Sequence, residues 1–418
     1  MNIKSFPAAF LAMLTAFTSI ASAAETGPTN APRVFLQQGM NLQLIRRQIR
    51  NGDRTYAPAI AALERDAQTA LQARPGSVMD KPSPAASGDK HDYMSQAPYA
   101  WADPSKTNGL PYLIRDGQRN PEAKINSDYD HLWKMAWDTE TLSLAYYLTG
   151  KEIYAARAAR LIQTWFLDPA TRMNPNVEYA QRVPGSNRED HGGIIDGLAF
   201  PLVVDSTGLL AGSPSWTDAD ERGFKEWIAR YRTWLEQSTM GRGESQATNN
   251  HGTYYDVQLV TYSLFLGDEA AAKSRLEADK KRIAWQIQPD GRQPFELTRT
   301  ISLHYSVYNL RGLFMLARLG ENVGVDLWHY QTDDGRGISR AIDYLIPFVT
   351  GAAKWPNQQI AEYPMEKAYT VLRLAPLKYP DQRYRDMVAK FPQLDPASRD
   401  NLLIPKTPDS SHPAASPP

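Results

Sequence analysis

The sequence has no cysteine among its 418 residues. That excludes disulfide staples, thiolate metal sites and a cysteine nucleophile, and it leaves stability to a hydrophobic core that 10 Trp and 12 Phe can supply. Net charge is also lacking, since Lys+Arg and Asp+Glu both number 46. Nucleic acid and an anionic membrane surface are therefore not expected partners, and affinity for an acidic ligand must come from a local cluster of cations. Long apolar runs are missing beyond the N-terminus. There, Lys4 precedes a mostly apolar stretch over residues 6–20, too short to span a bilayer comfortably, and Ala21-Ser22-Ala23 fits a cleavage site. Residues 1–23 read as a signal peptide, which points to secretion, with the periplasm as the expected destination and no membrane association after cleavage.

Strand-like alternation is scarce too, and helical spacing dominates. Residues 138–168 read as two amphipathic helices joined at Thr149-Gly150-Lys151, with Gly150 suited to a C-terminal cap. Thr217 precedes acids and reads as an N-cap. Residues 256–287 form another helix–Gly-Asp–helix pair, and Leu303, Val307, Leu310 and Phe314 form an i, i+4, i+7, i+11 stripe. Such pairs recur without a strict repeat, which predicts an all-α fold of stacked hairpins, curved or closed into a toroid. Trp133, Trp137, Tyr146, Tyr147, Trp165 and Trp227 read as core. Two long irregular stretches, 84–130 and 174–196, carry Tyr, Trp, Arg and His and read as walls of a cleft. One domain is expected over 24–405, and the Pro/Ser/Ala-rich end, 406–418, reads as a disordered tail.

Familiar catalytic motifs are absent. None of the 7 His sits in HExxH, there is no GxSxG elbow, and no Gly-rich phosphate loop occurs. No metal or cofactor is implied. Four clusters remain: "KHDYMSQAPYAWADP" (90–104), "NPNVEYAQRVPGSNRED" (174–190), "NNHG" (249–252) and "ELTRTISLHYSVYNL" (296–310). Each alone has a bland explanation as a helix start, an aromatic helix face or an i, i+3 ion pair. Together they supply Asn, Arg and His, which can neutralise a carboxylate, and Tyr, which can transfer protons. Six residues separate Arg299 from Tyr305, so on one continuous helix they point about 120° apart. Both can face one ligand only if Arg299 precedes the helix or lies in a distorted first turn.

With "PYLIRDGQRNPE" and "AWDTETLSLAYYLTG" added, these blocks occur in the order of, and the chain resembles, the alginate lyase-like superfamily of polysaccharide lyases, including families five and thirty-eight. The resemblance implies an (α/α) toroid of about six to seven helical hairpins, closed or incomplete, and metal-independent β-elimination on an anionic polysaccharide. It places the catalytic set on Asn250, His251, Arg299 and Tyr305. The "RTISLHY" spacing differs from that of the founding alginate lyases.

In this reading Asn250 and Arg299, helped by His251, neutralise the uronate carboxylate, and Tyr305 takes the C5 proton and returns one to the leaving O4. A nearby Arg is expected to lower the Tyr305 pKa. C5–H and O4 lie on the same ring side in β-mannuronate and β-glucuronate, so one Tyr serves both steps there. Glucuronan and poly-mannuronate rank first, mixed alginate next, guluronan last. Tyr93, Tyr99 and Trp101 are candidates for stacking on sugar or forming a lid, and Arg182, Asn187, Arg188, His191 and His304 are further candidate substrate contacts. The rivals are a glycoside hydrolase using acids among Glu189, Asp190 and Glu296, and a non-catalytic polysaccharide binder.

Overall fold

The computed structural model describes residues 31–186 and 191–405. Helices α1 (Gly39–Arg50) and α2 (Ala57–Gln72) precede an irregular stretch holding β1 (Met94–Gln96), β2 (Ala100–Trp101) and β3 (Leu113–Ile114). Then come α3 (Tyr129–Thr149), α4 (Glu152–Ile162), β4 (Tyr179–Arg182), α5 (Ala199–Leu210), α6 (Asp218–Gln237), α7 (Thr239–Ser245), α8 (Asn250–Leu266), α9 (Glu269–Gln286), α10 (Pro294–Leu297), α11 (Ser302–Gly320) and α12 (Ile338–Val349). Shorter helices follow as far as Leu403. One cluster of buried side chains runs from Val34 to Leu402.

The turns between helices have the expected chemistry. Gly150 caps α3 at φ 74° and Gly267 caps α8 at φ 82°, a left-handed conformation that glycine adopts without steric cost. Thr217 accepts from the Asp220 amide at 3.1 Å while Asp220 accepts from the Thr217 amide at 3.0 Å, closing a capping box on α6. Two details differ from the sequence reading. Helix α3 begins at Tyr129 rather than near Asp138, because Leu132, Met135 and Ala136 already form a buried stripe among charged neighbours. Trp165, Trp227 and Tyr147 are core, but Trp137 is 55% exposed.

Helices α3, α5, α8 and α11 pack in succession, with α4, α6, α9 and α12 outside them, in an (α/α) toroid. The inner helices point the same way. Near their N-terminal ends, Asp128 accepts from the Met94 amide at 2.9 Å, Asp196 accepts from the Tyr93 hydroxyl at 3.0 Å, and Tyr305 meets Tyr99. At the far ends, residues 33–37 lie across the helices. The buried Asp205 carboxylate in α5 accepts the Phe35, Leu36 and Gln37 amides at 2.7, 2.9 and 2.8 Å. Arg33 donates to the Leu264 carbonyl in the last turn of α8 at 2.9 Å, and Arg318 of α11 donates to the Gln37 carbonyl at 2.9 Å. Four helix N-termini therefore converge at one end, where their dipoles favour an anion.

Removing the Asp205 clamp leaves backbone N–H groups buried without acceptors. Asp205→Ala is expected to lower stability by about 3 kcal/mol, read by urea unfolding, with faster amide exchange at Phe35–Gln37; unchanged exchange there contradicts the clamp.

Candidate active site

The converging end holds the "NNHG" stretch as the first turn of α8. Asn249 is the N-cap, its side chain accepting from the His251 amide at 3.1 Å. From Asn250 to Phe265, His251 alone is not buried. The buried donors of that turn are matched, while the buried Asn250 Oδ1 has no partner among the described residues. Glu296, on α10, accepts from the Asn250 amide at 2.6 Å and from its side-chain Nδ2 at 2.8 Å. Thr253 donates at 2.8 Å to Asn309 Oδ1, and Asn309 donates to Gln286 and Gln293. Gly252 is required by close approach: a Cβ would lie 2.1 Å from the Ala247 carbonyl and 2.2 Å from Arg282.

His251 Nδ1 lies 2.7 Å from Glu244 Oε1, and the other oxygen of the same carboxylate lies 2.6 Å from His191 Nδ1. Glu244 is fully buried on α7. Burial pulls the His251 pKa down, but the Glu244 charge and hydrogen bond outweigh it, and the value ends above the usual 6.5. Folding therefore favours the imidazolium. Its contribution to stability is present below 6.5 and is lost as pH rises through the folded value. Burial raises the Glu244 carboxyl, but the two histidines bring it below its ordinary range. Glu296 stays high, at about 7, because burial outweighs the Asn250 donors.

Arg299 lies between α10 and α11, outside the helix, as the six-residue spacing requires. Its Nε donates to Asp116 Oδ1 at 3.0 Å, and Asp116 Oδ2 accepts the Thr300 amide at 2.8 Å. This anchors the guanidinium 3.6 Å above the centroid of the Tyr305 ring. The Tyr305 hydroxyl is 2.8 Å from that of Tyr99, whose ring faces Arg119 at 5.9 Å. The expected lowering of the Tyr305 pKa does not occur. Burial raises it most, Tyr99 adds to the rise, and Arg299 opposes both without overcoming them, so the resting group is a neutral phenol. His304 packs edge-on against Tyr305 at 5.2 Å; burial, then Lys367, Arg119 and Arg299, hold its pKa down at about 4, so it is neutral at pH 7.

The other sequence candidates divide. Tyr93 is a correction: it is completely buried, and its hydroxyl serves Asp196, which also accepts from Ser95 and Gln181. It braces the cleft wall and cannot stack on a sugar. Asn250 is likewise wholly buried, its amide committed to Glu296, so it offers no surface group in this arrangement. Trp101 donates to the Gln118 carbonyl at 2.8 Å beneath Arg115, and Arg182 is exposed beside Tyr179. Asn187, Arg188, Glu189 and Asp190 lie outside the described residues. Glu296, a candidate acid for hydrolysis, instead orients Asn250. Asp116, Asp196 and Glu244 were not singled out by sequence. Nor was Gln181, whose backbone sits at φ 48° where β1 and β4 slip register, a strained conformation held by the Ser95 and Asp196 contacts.

The Glu244 charge is what raises His251 against its burial. In Glu244→Gln the His251 pKa, followed by NMR, is expected to fall by about 1 to 3 units; an unmoved value contradicts this assignment.

Comparison with known proteins bears on the family and the fold. The alginate lyase family matches residues 77–355. An alginate lyase from Bacteroides ovatus is 38% identical, covering 89% of this chain and 99% of that one, with a TM-score of 0.86. Alginate lyase A1-III from Sphingomonas species A1 is 16% identical over 84% of this chain and 97% of its own, with a TM-score of 0.52, a likeness of fold. A variant of A1-III complexed with a tetrasaccharide reaches 0.57 at 16% identity, covering 91% and 98%. No curated protein matches. The chain belongs to the alginate lyase family and is a polysaccharide lyase.

Proposed function

We propose that the enzyme cleaves 1,4-linked polyuronates by β-elimination, with poly-β-mannuronate and glucuronan preferred over guluronan. The observation that carries this is the Tyr305 phenol, held beneath Arg299 and against Tyr99 where four helix N-termini converge. A uronate carboxylate entering there meets the edge of Arg299 and the His251 ring, whose charged form Glu244 favours. Neutralising it acidifies C5–H and stabilises the enolate-like charge that develops.

Proton transfer follows from the tyrosine's surroundings. The neutral phenol is suited to donate to the leaving O4. For the first step it must act as phenolate, its proton passing to water before C5–H is taken; burial and Tyr99 oppose that loss and Arg299 favours it. Arg299 then remains as the stabilising charge. The same atom can remove C5–H and protonate O4 only when both lie on one ring face, which is the arrangement in β-mannuronate and β-glucuronate. These sugars differ at C2, which none of the residues named here has to touch. The apolar stretch ahead of Ala23 supports export, so the expected substrate is extracellular or periplasmic.

Two outcomes follow. Incubation with glucuronan and poly-mannuronate is expected to give the ultraviolet absorbance of 4,5-unsaturated uronate ends; reducing ends without that absorbance would mean hydrolysis. Tyr305→Phe keeps the ring under Arg299 and loses only the proton-transfer group. Its turnover is expected to fall by about 10²- to 10⁴-fold with an unchanged circular dichroism spectrum, and near-normal turnover refutes the role of Tyr305.

A further inference from the structure

One face of α3 lies at the margin of the core and outside the catalytic set. Tyr129, Trp133 and Trp137 occur at i, i+4 and i+8, so their rings follow one another down the helix. The centroids are 6.3 Å apart for the first pair and 5.2 Å for the second. Tyr129 and Trp133 are half-buried, and Trp137 is 55% exposed. The Trp133 indole N–H is sheltered and has no acceptor among the described residues. On the opposite side of the helix, roughly 180° away, His131, Lys134, Met135 and Asp138 face the end of α2 and Leu161 of α4.

The first ring of the ladder, Tyr129, lies within electrostatic reach of Tyr99 and Arg119 at the active site. The residue before Tyr129, Asp128, is bonded to Met94 of β1, and five residues beyond Met94 stands Tyr99, on Tyr305. Across from the ladder, α11 presents His304, Tyr308 and Arg311 at i, i+4 and i+7. The two faces lie within electrostatic reach of each other, Tyr129 with Tyr308 and Glu140 with Arg311. Arg311 is exposed, and no carboxylate among the described residues comes within ion-pairing distance.

We infer that the groove between α3 and α11 binds the uronate chain beyond the scissile bond, with sugar rings lying on Trp133 and Trp137 and a carboxylate paired with Arg311. The inference rests on the polyuronate reading above. A pyranose presents C–H groups on its flat faces, which suit an indole face, while its carboxylate projects from the rim toward a cation. The ring spacings of 6.3 and 5.2 Å match the scale of successive sugars in an extended chain. An exposed tryptophan on one helix and an exposed arginine on the facing one, each in line with groups of the reaction centre, make a surface suited to an anionic, ring-bearing ligand.

The test compares long poly-mannuronate with the shortest oligomer that is cleaved. In Trp137→Ala and Arg311→Ala the ratio of kcat/KM on the long chain to that on the oligomer is expected to fall about tenfold. Trp285→Ala, an exposed tryptophan on α9, should leave that ratio alone. An unchanged ratio in both groove variants overturns the inference, as does an equal loss on both substrates. Calorimetric titration of Tyr305→Phe with the same long chain reads binding without turnover. Adding Trp137→Ala should weaken it about tenfold, and equal affinity overturns the groove. If the wild type makes no unsaturated ends from any uronate, the lyase reading fails while the titration still decides the groove. Melting curves and Arg311→Lys, expected to recover part of the ratio, separate lost binding from lost folding.

Discussion

Helix α8 is enclosed on nearly every side, and the active site is shaped by that enclosure. A helix start exposes N–H groups that require acceptors, and water cannot supply them inside a toroid. Asn249 caps the turn, Glu296 takes the Asn250 donors, and the Gln286–Asn309–Gln293 network absorbs Thr253. Two acids are thereby drawn to the first turn of one helix: Glu296 for its donors and Glu244 for its histidine. Left alone, either carboxylate would oppose an anionic substrate. Glu244 instead raises His251, and burial holds Glu296 at a pKa of about 7, which limits its negative charge near neutrality.

Arg299 and Tyr305 reach the same place by another route. The chain breaks between α10 and α11, so the guanidinium lies over the tyrosine ring instead of 120° around a helix from it. Asp116, from the irregular stretch before α3, fixes Arg299 and the Thr300 backbone together. The long loops thus act as the wall that sets the arginine. At the end remote from the cleft, residues 33–37 tie α5, α8 and α11 together through Asp205, the Leu264 carbonyl and Arg318.

Much of this was legible in the sequence where the physics is local. Gly150 and Thr217 announce their caps, and the turn pairs announce stacked hairpins. The Arg299–Tyr305 spacing alone demands a helix break, which the fold supplies. What escaped was contact between distant segments. Asp116 meets Arg299 across 183 residues, and Asp196 meets Tyr93 across 103. No periodicity encodes such a pairing. Tyr93 stood in a polar, loop-like block and looked like a surface aromatic, yet a buried carboxylate claims its hydroxyl. Trp137 erred the other way: an aromatic at helical spacing reads as core, and sequence does not show that this position of α3 faces outward, 55% exposed. The Tyr305 pKa was misjudged because sequence shows the neighbouring charge and hides the burial that outweighs it.

The structure of Tyr305→Phe with a bound uronate oligomer tests the central claim most directly. The expected result places the carboxylate of the sugar at the reaction centre between Arg299 and His251, with C5–H and O4 both facing the ring at position 305. A carboxylate turned to solvent, or a C5–H directed away from that ring, would contradict proton transfer by Tyr305.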